Sequence, residues 1–135
     1  MSYIVKLYEQ PSEIPMDKVE KIYRNCGWGE GEIISIAVKG SYCNVLAFDN
    51  DIPVGFSRII SDGAAYALLV DTMVSPNHKR KGIGALMVNK LIEYCRSKNI
   101  YIIKLVSSNE AIGFYESLNF KQCEEDTPGM TLKLC

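Results

Sequence analysis

Helical and strand periodicities alternate along these 135 residues and predict a mixed α/β sheet in the order β-α-α-β-β-β-α-β-α-β-β. Three observations lead there. Apolar residues recur at helical spacing over 15–25 and again over 83–98. Two β-like runs over 44–60 flank a polar turn cluster, the mark of a hairpin. A strand, a glycine-bearing loop and a helix then follow one another over 66–98. The length fits one compact domain, 1–135.

Taken in order, Tyr3 to Tyr8 reads as the first strand. From Pro15 to Asn25, Met16, Val19 and Ile22–Tyr23 mark a helix that Cys26-Gly27-Trp28-Gly29 ends. A second short helix is predicted from Glu30 to Lys39, with Ile33, Ile36 and Ala37 on one side. Asn44 to Phe48 and Val54 to Ile60 are strands around Asp49-Asn50-Asp51. Ser61-Asp62-Gly63 turns the chain into a further strand, Tyr66 to Val74, which Pro76 stops. Ile83, Leu86, Met87, Leu91 and Cys95 then define an amphipathic helix to about Lys98. Tyr101 to Val106 is nearly all apolar, as expected of a central strand covered on both faces. A helix from about Glu110 to Leu118 follows, and Phe120 to Leu134 offers two strands joined around Asp126-Thr127-Pro128-Gly129.

Composition narrows the function. Hydrophobic residues make up 47% and charged ones 23%, enough for a real core. Fifteen basic and 16 acidic residues give a formal charge of −1, so the basic excess of a nucleic-acid binder is missing. No apolar run suits a signal peptide or a membrane span, so a cytoplasmic protein without a membrane partner is expected. The five cysteines at 26, 43, 95, 123 and 135 are widely spaced and lack a Cys-x-x-Cys pair. Reduced thiols are the simplest reading; neither a disulfide framework nor a metal site is expected.

The informative segment runs Val74-Ser75-Pro76-Asn77-His78-Lys79-Arg80-Lys81-Gly82-Ile83-Gly84, between a strand and a helix. Glycines let the backbone approach an oxyanion closely, and the first N–H groups of a helix point outward without partners. The helix dipole favours negative charge there, and three cations precede it. Together these parts suit a pyrophosphate. The Walker pattern is missing, and a dinucleotide fingerprint would need glycine where Met87 stands. Taken on their own, the glycines fit a plain helix-opening turn equally well.

Lys79-Arg80-Lys81-Gly82-Ile83-Gly84 resembles the Arg/Gln-x-x-Gly-x-Gly/Ala signature of the GNAT N-acetyltransferase superfamily, with Lys79 in place of Arg or Gln. A second stretch, Asn109 to Phe120, is similar to that family's Asn-x-x-Ala-x-x-Phe-Tyr-x-x-x-Gly-Phe. There Asn119 replaces glycine, and Asn is the residue that best tolerates a left-handed helix end after glycine. The resemblance implies a splayed sheet with helices on both faces and acetyl-CoA as cosubstrate, bound where the strand ending at Val74 parts from the strand ending at Val106. It implies backbone contacts to the pantetheine arm from Thr72, Met73 and Val74. It places the pyrophosphate on Lys79, Arg80, Lys81, Gly82, Ile83, Gly84 and Ala85, and further cofactor contacts on Asn109 and Phe114. Tyr115 would stand near the sulfur as general acid, against the alternative that Phe114-Tyr115 is simply core.

Other residues carry two readings each. Asp71 lies in an apolar strand, where a carboxylate must be paired or exposed. It either orients or deprotonates an amine, or faces solvent where the sheet splays. Trp28, the sole tryptophan, either lines the acceptor pocket or anchors its loop. Glu30 and Glu32 either attract a cationic amine or are surface carboxylates beside a helix start. His78 reads as solvated. The implied activity is N-acetyl transfer by direct attack of a primary amine, from a small molecule, a protein N-terminus or a lysine. Its rivals are a non-catalytic acyl-CoA sensor and an interaction module, and a homodimer remains open.

Overall fold

A computed structural model describes residues 3–29 and 31–135. The chain divides into two compact units, Met1–Leu105 and Val106–Cys135.

The first unit holds one five-stranded sheet in the order β1-β2-β3-β4-β5. Its strands are β1 (Tyr3–Tyr8), β2 (Cys43–Asp49), β3 (Ile52–Ser61), β4 (Tyr66–Val74) and β5 (Ile102–Lys104). The first four are antiparallel neighbours, and β5 joins β4 in parallel. The predicted hairpin forms with Asp49 opposite Ile52, and Asn50 takes a left-handed φ of 56° in its turn. Helices α1 (Met16–Asn25) and α2 (Glu32–Lys39) lie between β1 and β2 in sequence. Helix α3 (Ile83–Ser97) links β4 to β5.

Alternation along the strands sorts the two faces. Val19 and Ile22 of α1 and Ile34 and Val38 of α2 pack with Leu46, Phe48, Phe56 and Met73 of the sheet. The opposite face takes α3. A Cβ at Gly55 would lie 2.9 Å from the Met87 thioether and 3.3 Å from Ile83, so glycine there lets α3 approach β3. Ile83, Met87, Val88, Leu91 and Cys95 are buried, whereas Leu86, expected among them, is exposed.

The expectations for the 101–106 run and for the second helix need correction. The strand covered on both faces is β2, buried from Cys43 to Phe48, and not the 101–106 run. Only Ile102–Lys104 of that run pairs, its one ladder is with β4, and it is half exposed. A short apolar run does not by itself reveal how many neighbours its strand will have. In α2 the inward residues are Ile34 and Val38, while Ile33 and Ile36 face solvent. Ile33, Ile34, Ile36, Ala37 and Val38 cover more than half of the helix circumference, wider than the stripe a core needs, so periodicity alone left its orientation undecided.

The second unit contains a single turn over Asn109–Ala111 and helix α4 (Ile112–Ser117). Its end is capped as expected. Asn119 has φ 73°, its N–H meets the Glu116 carbonyl, and the Phe120 N–H meets that of Tyr115. The two strands expected over 120–134 do not form. Residues 121–135 are exposed throughout and turn at Glu124–Thr127. A strand persists through its ladder partner, and none is made here.

Candidate functional site

The β4–β5 ladder is short. It pairs Tyr66, Ala67 and Leu68 with Ile102, Ile103 and Lys104, and β4 then runs six residues further without β5. From Leu69 to Val74 the β5-facing edge of β4 keeps peptide groups free of any strand partner. The sheet therefore opens, as the splayed fold requires. Past Val74 the chain makes one tight turn at Pro76–His78 and reaches α3.

That helix start has the parts an anion needs. Its N-cap is Gly82 at φ 82°, with open space where a Cβ would stand. Glycine brings no capping side chain, so the first N–H groups stay available. Arg80 also takes a left-handed φ, 62°, and Lys79, Arg80, Lys81 and Gly82 are all exposed. At the neighbouring end of α1, the Cys26 thiol donates to the Val74 carbonyl at 3.5 Å. Burial raises its pKa, against the pull of the Lys79 charge. His78, read as solvated, is held instead: Nε2 lies 3.3 Å from Asp49 Oδ2, and its ring meets that of Tyr3 edge-on.

A second constellation sits on the α1–α2 face. The β3–β4 register slips, so that Ser57 alone spans Asp71 and Thr72 of β4, a β-bulge. Asp71 takes φ 57°, and the Ser57 and Thr72 hydroxyls bond at 2.7 Å. The bulge hands the Asp71 carboxylate to Arg58, whose Nε donates to Oδ2 at 2.6 Å with both side chains largely buried. Arg58 Nη1 also reaches the Ala37 carbonyl at 3.4 Å and Ser41 Oγ at 3.3 Å, tying the pair to the end of α2. Asn44, opposite Arg58 on β2, is fully buried, and neither of its amide atoms finds a partner among the described residues. The Tyr23 hydroxyl stands beside Asp71. Burial, and then that carboxylate, raise its pKa well above 10, so it stays protonated.

The end of α1 brings Trp28 to the same place. Gly27 takes φ 74°, its N–H meets the Arg24 carbonyl, and the Trp28 N–H meets that of Tyr23 at 2.9 Å. This closure turns the residue after glycine back over the last helical turn. The Trp28 ring accordingly meets Tyr23 edge-to-face at 6.0 Å. Tyr23, Trp28, Glu32 and Ile33 border an open groove of about 290 Å³.

The first unit thus gathers the predicted residues into two places. Thr72, Met73 and Val74 adjoin the loop Lys79 to Ala85, although the Met73 side chain belongs to the core. Asp71 and Trp28 both meet Tyr23. Asp71 is paired with Arg58 rather than bare to solvent. Glu30 lies outside the described residues. In the second unit Asn109 is exposed at the start of its turn, and Tyr115 is half-buried between Phe114 at 4.9 Å and Phe120 at 5.8 Å. Sequence reading missed Arg58 and Tyr23. The signal for Arg58 was present: it is the one charge in Val54 to Ile60, as Asp71 is in Tyr66 to Val74, and the two have opposite signs on consecutive strands.

A sheet that parts near a glycine-capped helix start offers an open strand edge and free helix N–H groups to a ligand. The chain belongs to the Acetyltransferase (GNAT) family, whose sequence pattern matches residues 8–120. A GNAT-family acetyltransferase from Streptococcus pneumoniae superposes with a TM-score of 0.85 over 98% of each chain, at 26% identity. GCN5-related N-acetyltransferase 1, chloroplastic, of Arabidopsis thaliana is 27% identical over a 119-residue alignment that covers 85% of this chain and 60% of that protein. Serotonin N-acetyltransferase 2, chloroplastic, of Oryza sativa subsp. japonica is 31% identical over 78 residues, 58% of this chain and 39% of that protein. The chain therefore spans less than two thirds of the length of both curated relatives.

Proposed function

We propose that this chain transfers the acetyl group of acetyl-CoA to a primary amine by direct attack. The observation that carries the reading is the early end of the β4–β5 ladder at Leu68, beside an uncapped helix start at Gly82 flanked by three cations. Family membership and the N-acetyltransferases among the relatives support the reaction class.

Acetyl-CoA fits the groups present. The first N–H groups of α3 and the Lys79, Arg80 and Lys81 charges would hold its pyrophosphate. The open edge of β4, Thr72 to Val74, would accept the amide-bearing arm as an added strand does. Bound there, acetyl-CoA supplies an activated acyl carbon. In balance, an ammonium loses one proton to solvent, its nitrogen bonds the acyl carbon and gives up a second proton, the carbon–sulfur bond breaks, and the sulfur gains a proton, so amide, free thiol and one solvent proton result. Asp71, charge-paired with Arg58, orients the amine by accepting an N–H. With acetyl-CoA bound, backbone N–H groups near Met73 and Val74 would polarise the carbonyl, and Tyr115, in the role that the family resemblance gives it, would donate the proton to sulfur. Two reactants held in line account for much of the rate. The name of the Oryza sativa relative, a serotonin N-acetyltransferase, supports an amine acceptor.

The test is thiol release from acetyl-CoA across an amine panel, with Tyr115→Phe as the discriminating variant. Phenylalanine keeps the ring and removes only the hydroxyl, so acetyl-CoA binding should survive while turnover falls about 10²-fold. A thiol of ordinary pKa near 8.5 already leaves fairly well, which sets the lower end of the usual range. The loss should lie in kcat rather than KM. Binding of acetyl-CoA without thiol release from any amine would make the chain an acyl-CoA-binding module.

A further inference from the structure

The groove at the end of α1 has a chemistry of its own. Its walls are the rings of Tyr23 and Trp28 and the side chain of Ile33, and among the described residues Glu32 is the carboxylate that borders it. Trp28 leaves 55% of its surface exposed and Ile33 82%, although α2 has core-facing room only for Ile34 and Val38. Large apolar groups left together at the surface mark a binding surface more often than chance. Tyr23 connects this wall to the interior, since its hydroxyl stands at Asp71. The groove wall is therefore apolar and aromatic, and its Tyr23 ring ends at the ion-paired Asp71 carboxylate. At about 290 Å³ the space is at the lower end of small-molecule sites. It takes a single-ring or branched amine and leaves an oligosaccharide or a folded peptide outside.

We infer that the acceptor is a small primary amine with an apolar, preferably aromatic, body. The inference rests on the acetyl-transfer reading and supplies its substrate class. The body lies on Trp28 and Ile33, where burial of apolar surface provides affinity. Glu32 draws the ammonium to the mouth, and the Asp71 carboxylate receives its N–H beyond the Tyr23 ring. A carboxylate accepts at four lone-pair positions, so the bond from Arg58 Nε leaves room for the amine. Because Arg58 already balances Asp71, the ammonium is oriented without being trapped in its charged form, and the attacking nitrogen must be neutral. Polyamines and amino sugars lack the body that this wall recognises.

Trp28 is the sole tryptophan of the chain, so its fluorescence reports on this groove. The experiment titrates Trp28 emission with 2-phenylethylamine, spermidine and glucosamine, without CoA and with CoA at saturation. 2-Phenylethylamine should give a saturable change at concentrations about tenfold or more below those needed for either polar amine. Ile33→Asn, at a solvent-facing site, should weaken the 2-phenylethylamine response about fivefold or more and leave acetyl-CoA affinity unchanged. An equal or tighter response to spermidine or glucosamine, or no saturable response in either CoA condition, overturns the inference. Thiol release measured in parallel separates the two readings. Saturable binding without thiol release would sink acetyl transfer and keep the groove. Thiol release from a polar amine alone would do the reverse.

Discussion

The loop at Lys79 to Ala85 and the bulge at Asp71 hold their backbones in the same unusual region for different reasons. Gly82 sits at φ 82° without strain, because glycine has no side chain to clash. Asp71 sits at φ 57°, where an L-residue costs about 1–2 kcal/mol, and an ion pair to Arg58 accompanies the strain. The loop is contiguous, exposed and built from peptide groups, so Lys79 can stand where the family has Arg or Gln without changing its design. The bulge site draws Tyr23, Trp28, Arg58 and Asp71 from α1, its C-terminal turn, β3 and β4. A phosphate can be held by any backbone of the right shape, whereas an amine must be chosen by side chains that folding brings together.

If that contrast is right, the two places should fail independently. Arg58→Ala has the largest expected effect. It strands Asp71 as a largely buried charge and drops two further bonds, so stability should fall by about 3–5 kcal/mol in urea denaturation. Adding Asp71→Ala to it should restore part of that loss, because the uncompensated charge goes with it. A loss near zero would mean the pair behaves as an ordinary surface contact.

Gly82→Val strikes the other place. Acetyl-CoA at a hundredfold excess over its dissociation constant should stabilise the native protein by about 2.7 kcal/mol, and the variant should lose that shift. Its own fold should weaken by only about 1–2 kcal/mol, since the space around Gly82 is open and only φ is unfavourable. An unaltered acetyl-CoA shift would remove the loop from the binding site. Together with Arg58→Ala, which should keep the shift, this forms a double dissociation.

The smallest effect is alkaline. Burial raises the pKa of Tyr23 well above its usual value, and that of Tyr94 to about 12. With folded values above unfolded ones, the stability they contribute is complete below about pH 10 and is lost as pH rises through the folded values. Tyrosinate absorbance of the native protein should show a late phase above pH 10, and Tyr23→Phe should remove part of it. Titration of all eight tyrosines together near 10 would contradict the buried placement of Tyr23.

Much of the fold, including the glycine-opened start of α3, was legible in the chain itself. The hairpin at Asp49–Ile52, the amphipathic α3, the helix-opening glycine at 82 and the left-handed cap at Asn119 each depend on residues adjacent in sequence. Local sterics and periodicity fix such features before any distant contact forms. The orientation of α2, the one-sided pairing of β5, the Ser57–Asp71–Thr72 bulge and the Arg58–Asp71 pair were decided by tertiary structure. Each depends on which surface another element covers, or on how two strands slip by one residue. A burial pattern read along one strand carries no term for its neighbour's register, and so the Arg58–Asp71 pair came into view only when the strands were laid side by side.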